Sequence, residues 1–184
     1  MIFEYSLIAL LSPLVGSILA AFLGKSLGKT FVNTSTILGV MISFVLSCIL
    51  ALEIYQTSTV LNQNIYTWLN IGSFSFHIGF LIDNLTASMM VVVTFVSLMV
   101  HIYTIGYMHD DPGYHRFFAY ISLFTFSMLS LVMANNFLQL FFGWEAVGVM
   151  SYLLIGFWYT KESAIKANLK AFLVNRVGDL SMIL

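Results

Sequence analysis

Four side chains of this sequence could carry a charge inside apolar helices: Glu145, Arg176, Asp179 and His101. Glu145 lies in an otherwise apolar run from 137 to 157, within Phe141-Phe142-Gly143-Trp144-Glu145-Ala146-Val147-Gly148-Val149-Met150-Ser151-Tyr152. At about 1.5 Å per residue that run is roughly 30 Å long, the thickness of a bilayer's hydrocarbon core, and Glu145 sits about 12 Å from its Asn136 end. A carboxylate at such depth costs roughly 3 kcal/mol on insertion scales, so it should face protein or water, and it is a functional candidate by default. The competing reading is a protonated acid that caps a carbonyl of a neighbouring helix. Arg176 and Asp179 are three residues apart, share a helical face and can pair. His101 is near the far end of another apolar run. It is either hydrogen-bonded to a neighbouring helix or part of a proton relay, since imidazole exchanges protons near neutral pH. No second histidine lies in an apolar run, which argues against a haem with two axial histidines.

The elements that must position these groups are membrane helices. The chain has 184 residues, 60% apolar and 8% charged, against about 25% charged in ordinary soluble domains. That composition implies an all-α polytopic membrane protein. Net charge is −1 and no basic stretch is fit for nucleic acid. Cys48 is the only cysteine, so this chain alone supplies no disulfide, iron–sulfur or cysteine-type zinc site. No basic residue precedes the first apolar run, which reads as a retained span rather than a signal peptide. The sequence stops within an apolar helix, and it is expected to be the N-terminal part of a longer chain.

Six spans are expected, at 5–23, 34–55, 85–107, 117–133, 137–158 and 163–184, in a single transmembrane domain. Pro13 and Gly16 in the first are tolerated in membrane helices. The loop 24–30 imitates a phosphate-binding loop, but its glycines are one residue too close and no strand precedes it. Between 65 and 80 the pattern changes to period two: Phe74, Phe76, Ile78 and Phe80 alternate with Ser75, His77 and Gly79, around a turn Asn70-Ile71-Gly72-Ser73. This reads as an interfacial β-hairpin on a protein surface, with His77 on its polar face. Asp83 or Asn84 should cap the third span. Asp111-Pro112 reads as the start of the fourth, with proline in the first helical position. His109 and His115 flank two aspartates, a pattern better read as a solvated loop than as a metal cluster. Trp158-Tyr159 marks a membrane interface, from which Lys166 and Lys170 can reach headgroups. With six spans, the loops 1–2, 3–4 and 5–6 and adjoining helix ends hold Lys25, Lys29, Arg116, Lys161, Lys166 and Lys170, while the opposite loops hold no Lys or Arg. The positive-inside rule then places the N-terminus and the hairpin outside.

Several segments together resemble one family. They are His101-Ile102-Tyr103-Thr104-Ile105-Gly106-Tyr107-Met108, Arg116-Phe117-Phe118-Ala119-Tyr120, Gly143-Trp144-Glu145-Ala146-Val147-Gly148, Ser151-Tyr152-Leu153-Leu154-Ile155-Gly156-Phe157-Trp158 and Asn175-Arg176-Val177-Gly178-Asp179. In this order and spacing they look like the start of the large antiporter-like subunit (subunit L, or chain 5) of proton-pumping NADH:quinone oxidoreductase, respiratory complex I. The large subunit of multisubunit sodium/proton antiporters is the alternative. The resemblance implies a helical fold with an inverted repeat and an outward-side hairpin. It implies an energy-transducing membrane, in a bacterium the inner one. Neighbouring complex I membrane subunits, chiefly the adjacent antiporter-like subunit, would be partners, and protons the cargo. No cofactor is implied in this chain; NADH, flavin, iron–sulfur clusters and quinone would belong to partner subunits. In the family the acid matching Glu145 pairs with a lysine two helices later, past Leu184, and the residues matching Arg176 and Asp179 form a second ion pair.

On that reading Glu145 is a proton-pathway switch, Arg176–Asp179 couples it to the neighbouring subunit, and His101 is a possible relay. Burial disfavours an ionised carboxyl, and a nearby cation restores it. At 4 Å and an effective dielectric near 20 an acid–ammonium pair is worth roughly 4 kcal/mol, enough against the about 2.3 kcal/mol that one charge costs to cross 100 mV. Gly148, about one turn from Glu145, leaves room for a close helix or water. Tyr152, two turns away, either orders water or packs.

Overall fold

The computed structural model describes residues 2–71 and 74–183. Its elements are α1 (Ile2–Thr57), β1 (Leu61–Ile71), β2 (Phe74–Ile82), α2 (Asn84–Tyr107), α3 (Tyr114–Val132), α4 (Phe137–Ile155) and α5 (Glu162–Ile183). The polar stretch expected as a loop at 24–30 is instead helical on both sides of one residue. Gly28, at φ 84° and ψ 176°, folds α1 sharply, a backbone conformation essentially confined to glycine. The two arms, 2–27 and 29–57, run antiparallel: Gly24 lies against Val32, Gly16 against Ser35 and Gly39 against Ser12, and Ser43 Oγ donates to the Ala9 carbonyl at 2.7 Å. That bond has a covalent cause. Pro13 has no N–H to give the carbonyl four residues earlier, so the second arm satisfies the acceptor that the proline leaves open. Ser122 Oγ of α3 donates to Pro13 O, and Ser17 Oγ donates to Ala119 O, both at 2.8 Å. Hydroxyl donors thus stitch α1 to α3 where lipid offers none.

Among the described residues, four helices are long and apolar enough to cross a membrane: α1, which the fold at Gly28 divides into two arms, and α2, α3 and α4. The expected sixth span corresponds to α5. It is long enough at 22 residues, but Glu162, Lys166, Lys170, Arg176 and Asp179 keep it below that apolarity.

Asp83 caps α2, its carboxylate accepting from Thr86 N at 2.7 Å. That bond, first among several local ones, holds its carboxyl below the usual carboxylate range. Asn136 caps α4, accepting from Gln139 N at 2.9 Å. The expected start of the fourth span at Pro112 is corrected to Tyr114. Asp111 Oδ1 accepts from Gly113 N at 2.7 Å, a tight side-chain turn that competes with the first helical turn and leaves Pro112 outside it. At the other boundary α4 ends at Ile155 rather than 158, and Trp158 O accepts from Lys161 N at 2.9 Å in the turn that follows.

The hairpin is longer than expected, Leu61–Ile82 rather than 65–80, and has register shifts at Asn64/Tyr66 and Thr67/Leu69. Of its expected turn, Gly72 and Ser73 lie outside the described residues. Phe80 and Ile82 are buried, whereas Ile78 on the same run is 42% exposed. The hairpin seats on the corner between α3 and α4. Leu81 N donates to Met133 O at 3.0 Å, and Gly79 N to Gln139 Oε1 at 3.0 Å. Asn136 Nδ2 donates to His77 O at 2.7 Å, and Asn135 Nδ2 to Asn64 Oδ1 at 2.8 Å.

Two apolar clusters close the ends of the bundle. Near the hairpin Ala9, Leu50, Ile54, Phe80, Met90 and Met133 pack together; at the far end Ala20, Val32, Met108, Tyr114, Phe118 and Phe157 do. The basic loops meet at that far end. Lys29 Nζ donates to His109 O and stands over the Tyr114 ring, Arg116 covers Phe157 at 4.8 Å, and Lys161 covers Trp158 at 4.4 Å. Trp158 Nε1 donates to Asp111 Oδ2 at 2.9 Å.

Candidate functional site

α4 lies between α3 and α5, and two residue types set its spacing from each. A Cβ at Gly143 would fall 2.7 Å from Leu131 Cα and 2.9 Å from Leu131 N, so the α3–α4 approach requires glycine. Glu145, two residues on, points about 200° around the helix, toward α5. α4 and α5 run antiparallel: Gly156 lies against Asn168, Tyr152 packs edge-on to Phe172 with centroids 5.7 Å apart, and Glu145 reaches Arg176. Gly148 faces Asn175 and Arg176 at ordinary contact distance; a Cβ added there would lie 3.6 and 3.9 Å from them. Tyr152 therefore packs, which is one of its two expected roles.

The four residues that meet here form a crossed cluster. Arg176 Nη1 and Nη2 donate to Glu145 Oε1 and Oε2 at 3.1 and 2.7 Å, a fork-to-fork arrangement and the strongest geometry open to a guanidinium and a carboxylate. Arg176 Nε stands 3.1 Å from Asp179 Oδ2. These two atoms are shielded from solvent and do not meet hydrogen-bond geometry, so theirs is a close charge contact rather than an aligned bond. Asp179 Oδ1 accepts from Trp144 Nε1 at 3.0 Å. The Phe172 ring lies under the guanidinium at 5.2 Å. Side-chain exposure falls from 40% at Arg176 through 22% at Glu145 to 8% at Asp179, so the dry end of the cluster is Asp179. Two acids thus surround one cation that does not give up its proton.

The structure thus brings together Glu145, Arg176 and Asp179 and leaves His101 elsewhere. His101 is fully buried in α2. Its Nδ1 lies 2.8 Å from the Ser97 carbonyl of its own helix, which corrects the expected bond to a neighbouring helix. An N–H at Nδ1 makes Nε2 the acceptor, and Nε2 has no hydrogen-bond partner among the described residues. Its ring meets Phe118 edge-on at 6.0 Å. His77 is held on the hairpin surface by Thr67 and Ser75 at 3.0 and 2.9 Å. His109 pairs with Asp110 at 2.8 Å; that bond, with the charge beside it, holds the Asp110 carboxyl below its ordinary value. Among the described residues no group of three His, Cys, Asp or Glu side chains could hold a metal ion. Trp144 is the member that sequence reasoning missed. The available clue was chemical: an indole N–H beside a buried acid must find an acceptor of its own.

Fold and site define a multi-spanning helical membrane domain with an ion-paired carboxylate cluster between two helices. Residues 68–118 match the family profile described as NADH-Ubiquinone oxidoreductase (complex I), chain 5 N-terminus. Residues 134–184 match the one described as NADH:quinone oxidoreductase/Mrp antiporter, TM. The chain is 59% identical over 182 residues to a NADH-quinone oxidoreductase subunit L of Neisseria meningitidis serogroup A, covering 98% of this chain and 27% of that one. It is 44% identical over 176 residues to a NADH-ubiquinone oxidoreductase chain 5 of Dictyostelium discoideum, covering 96% and 26%. Among solved structures, a chain of the membrane-bound sulfane sulfur reductase, an archaeal respiratory membrane complex, superposes with a TM-score of 0.81 at 15% identity, covering 95% of this chain and 34% of that one. That last likeness speaks for the fold alone. The chain belongs to the subunit L/chain 5 family of complex I, and it spans about a quarter of the length of the curated relatives it matches.

Proposed function

We propose that this chain is part of a proton-translocating membrane subunit of NADH:quinone oxidoreductase, driven by electron transfer in partner subunits. The observation that carries the reading is the two-acid, one-cation cluster on the α4–α5 seam. Glu145 is gripped by both terminal nitrogens of Arg176, and a second acid, Asp179, waits 3.1 Å from the Nε of the same guanidinium. Such a cluster has two arrangements of nearly equal charge. In one, Arg176 neutralises Glu145. In the other it turns to Asp179, and Glu145 is left as a lone acid in a poor solvent for ions, where it takes up a proton. A proton on Glu145 then leaves when Arg176, or the lysine that family likeness expects past Leu184, returns. Arg176 itself only moves charge and never supplies the proton. His101 makes no bond to this group, so a role as relay needs a water chain to reach its Nε2.

The redox chemistry falls to partner subunits that hold NADH, flavin, iron–sulfur clusters and quinone, with the adjacent antiporter-like subunit as the nearest mechanical partner. The membrane is an energy-transducing one, and the basic loops favour its outer side for the hairpin and the N-terminus. The chain 5 profile over 68–118 and the names of the relatives support this reading over a sodium/proton antiporter subunit. Glu145→Gln tests it: protons moved per NADH oxidised should fall while the assembled complex persists. A normal ratio in that variant refutes the assignment.

A further inference from the structure

Asp179 has two carboxylate oxygens, and the structure gives each a different partner. Oδ1 accepts from Trp144 Nε1 at 3.0 Å; Oδ2 faces Arg176 Nε at 3.1 Å. Trp144 immediately precedes Glu145, so α4 offers a donor and an acceptor side by side. α5 answers with an acceptor and a donor three residues apart, on one face. The two bonds of one helix therefore cross to the two opposite groups of the other.

We infer that Trp144 is a positioning residue for the charge cluster: its indole N–H fixes Asp179 as a standing second acceptor for Arg176, so that the guanidinium is shared between two acids rather than tied to one. This rests on the reading of Glu145 as a pathway switch. First, the Nε–Oδ2 contact is close without being aligned, and both atoms are otherwise unsatisfied and shielded. A rotation of the guanidinium away from Glu145 completes that bond without any movement of Asp179. Second, a carboxylate held at one oxygen by an N–H must break that bond to swing about its own side-chain bond, so Oδ2 is kept where Arg176 will need it. Third, indole is a donor that neither titrates nor carries net charge. It can orient Asp179 without adding a proton or a cation to a site whose work is to move them. A lysine in its place would do the first and spoil the second.

The experiment replaces the N–H and keeps the shape, in the full NADH:quinone oxidoreductase complex. Trp144→benzothienylalanine exchanges the indole nitrogen for sulfur; Trp144→5-fluorotryptophan retains the donor. Protons moved per NADH oxidised are measured per assembled complex, beside Glu145→Gln. The sulfur isostere is expected to lose at least half of what Glu145→Gln loses, and fluorotryptophan to pump like the parent. Placed on Asp179→Asn, the isostere should bring no further loss, because Trp144 acts through Asp179. A structural role in packing would leave the isostere normal. Parent-like pumping by the isostere, with Glu145→Gln impaired, overturns the inference and leaves the functional reading standing. An added loss on the Asp179→Asn background also overturns it. Normal pumping by Glu145→Gln overturns both.

Discussion

Gly143→Ala tests whether the α3–α4 contact governs the charge cluster on the opposite face of α4. The added Cβ would sit 2.7 Å from Leu131 Cα, 2.9 Å from its N and 3.1 Å from its Cβ. Carbon atoms in good contact are about 3.5–4.0 Å apart, so the helices must part locally by roughly 0.8 Å or more. Two of the three atoms met are backbone and cannot rotate aside. Overpacking of this kind costs about 1–3 kcal/mol. The displacement points toward α5, where Glu145 and Arg176 have only 2.7 and 3.1 Å between bonded atoms. Gly148→Ala is the control: its Cβ would be 3.6 Å from Asn175 Nδ2 and 3.9 Å from Arg176 Nη2, ordinary contacts that need no movement. Reversible unfolding in bicelles should show the Gly143→Ala loss and little change for Gly148→Ala, and proton translocation should follow the same order. Equal stability of the two variants would refute the reasoning.

Ser43→Ala should cost about 1 kcal/mol, near the middle of the range for hydroxyl bonds between membrane helices, because Ala9 O loses its short hydroxyl donor and keeps only the long contact from Ser12. In a Pro13→Ala background the same change should cost less, since the backbone N–H restored at that position would reach Ala9 O; equal losses in the double-mutant cycle would contradict the account. Asp111→Asn should weaken the far-end loop contact by about 1 kcal/mol, discounted for partial exposure. The Asp111 carboxyl is held below the usual range, first by the Trp158 N–H. Its contribution is therefore fully present above the unfolded value near pH 3.9 and is lost as pH falls through the lower folded value. Thermal unfolding should show a constant difference between parent and Asp111→Asn from about pH 8 to 5, narrowing only below about pH 4. A difference that varies between about pH 6 and 8 would count against it.

The membrane helices were legible because twenty apolar residues in a row have few other fates. Their ends were less so, since each is settled by a competing local bond: Asp111 against Pro112 at the start of α3, and one glycine in place of an expected loop in α1. The hairpin's alternation gave its existence, while its extension to Leu61 and Ile82 came from pairing with the α3–α4 corner, a contact remote in sequence. The site was half visible. Helical spacing joined Arg176 to Asp179, but the better bond of Arg176 is to Glu145, 31 residues earlier. No periodicity announces it; it follows from how α4 and α5 face each other. The same holds for Trp144, whose partner is 35 residues away.

Among the described residues, the polar bonds that fasten the hairpin to its corner are made by amides: Asn62, Asn64, Asn135, Asn136, Gln139 and main-chain groups. None of these gains or loses a proton in water at any physiological acidity, and dissolved salt does not screen them as it screens ions. The basic loops at the far end rely on ammonium, guanidinium and carboxylate groups instead. The seat of the hairpin on the α3–α4 corner is therefore built to hold through swings in acidity and ionic strength that would loosen the contacts of the opposite end.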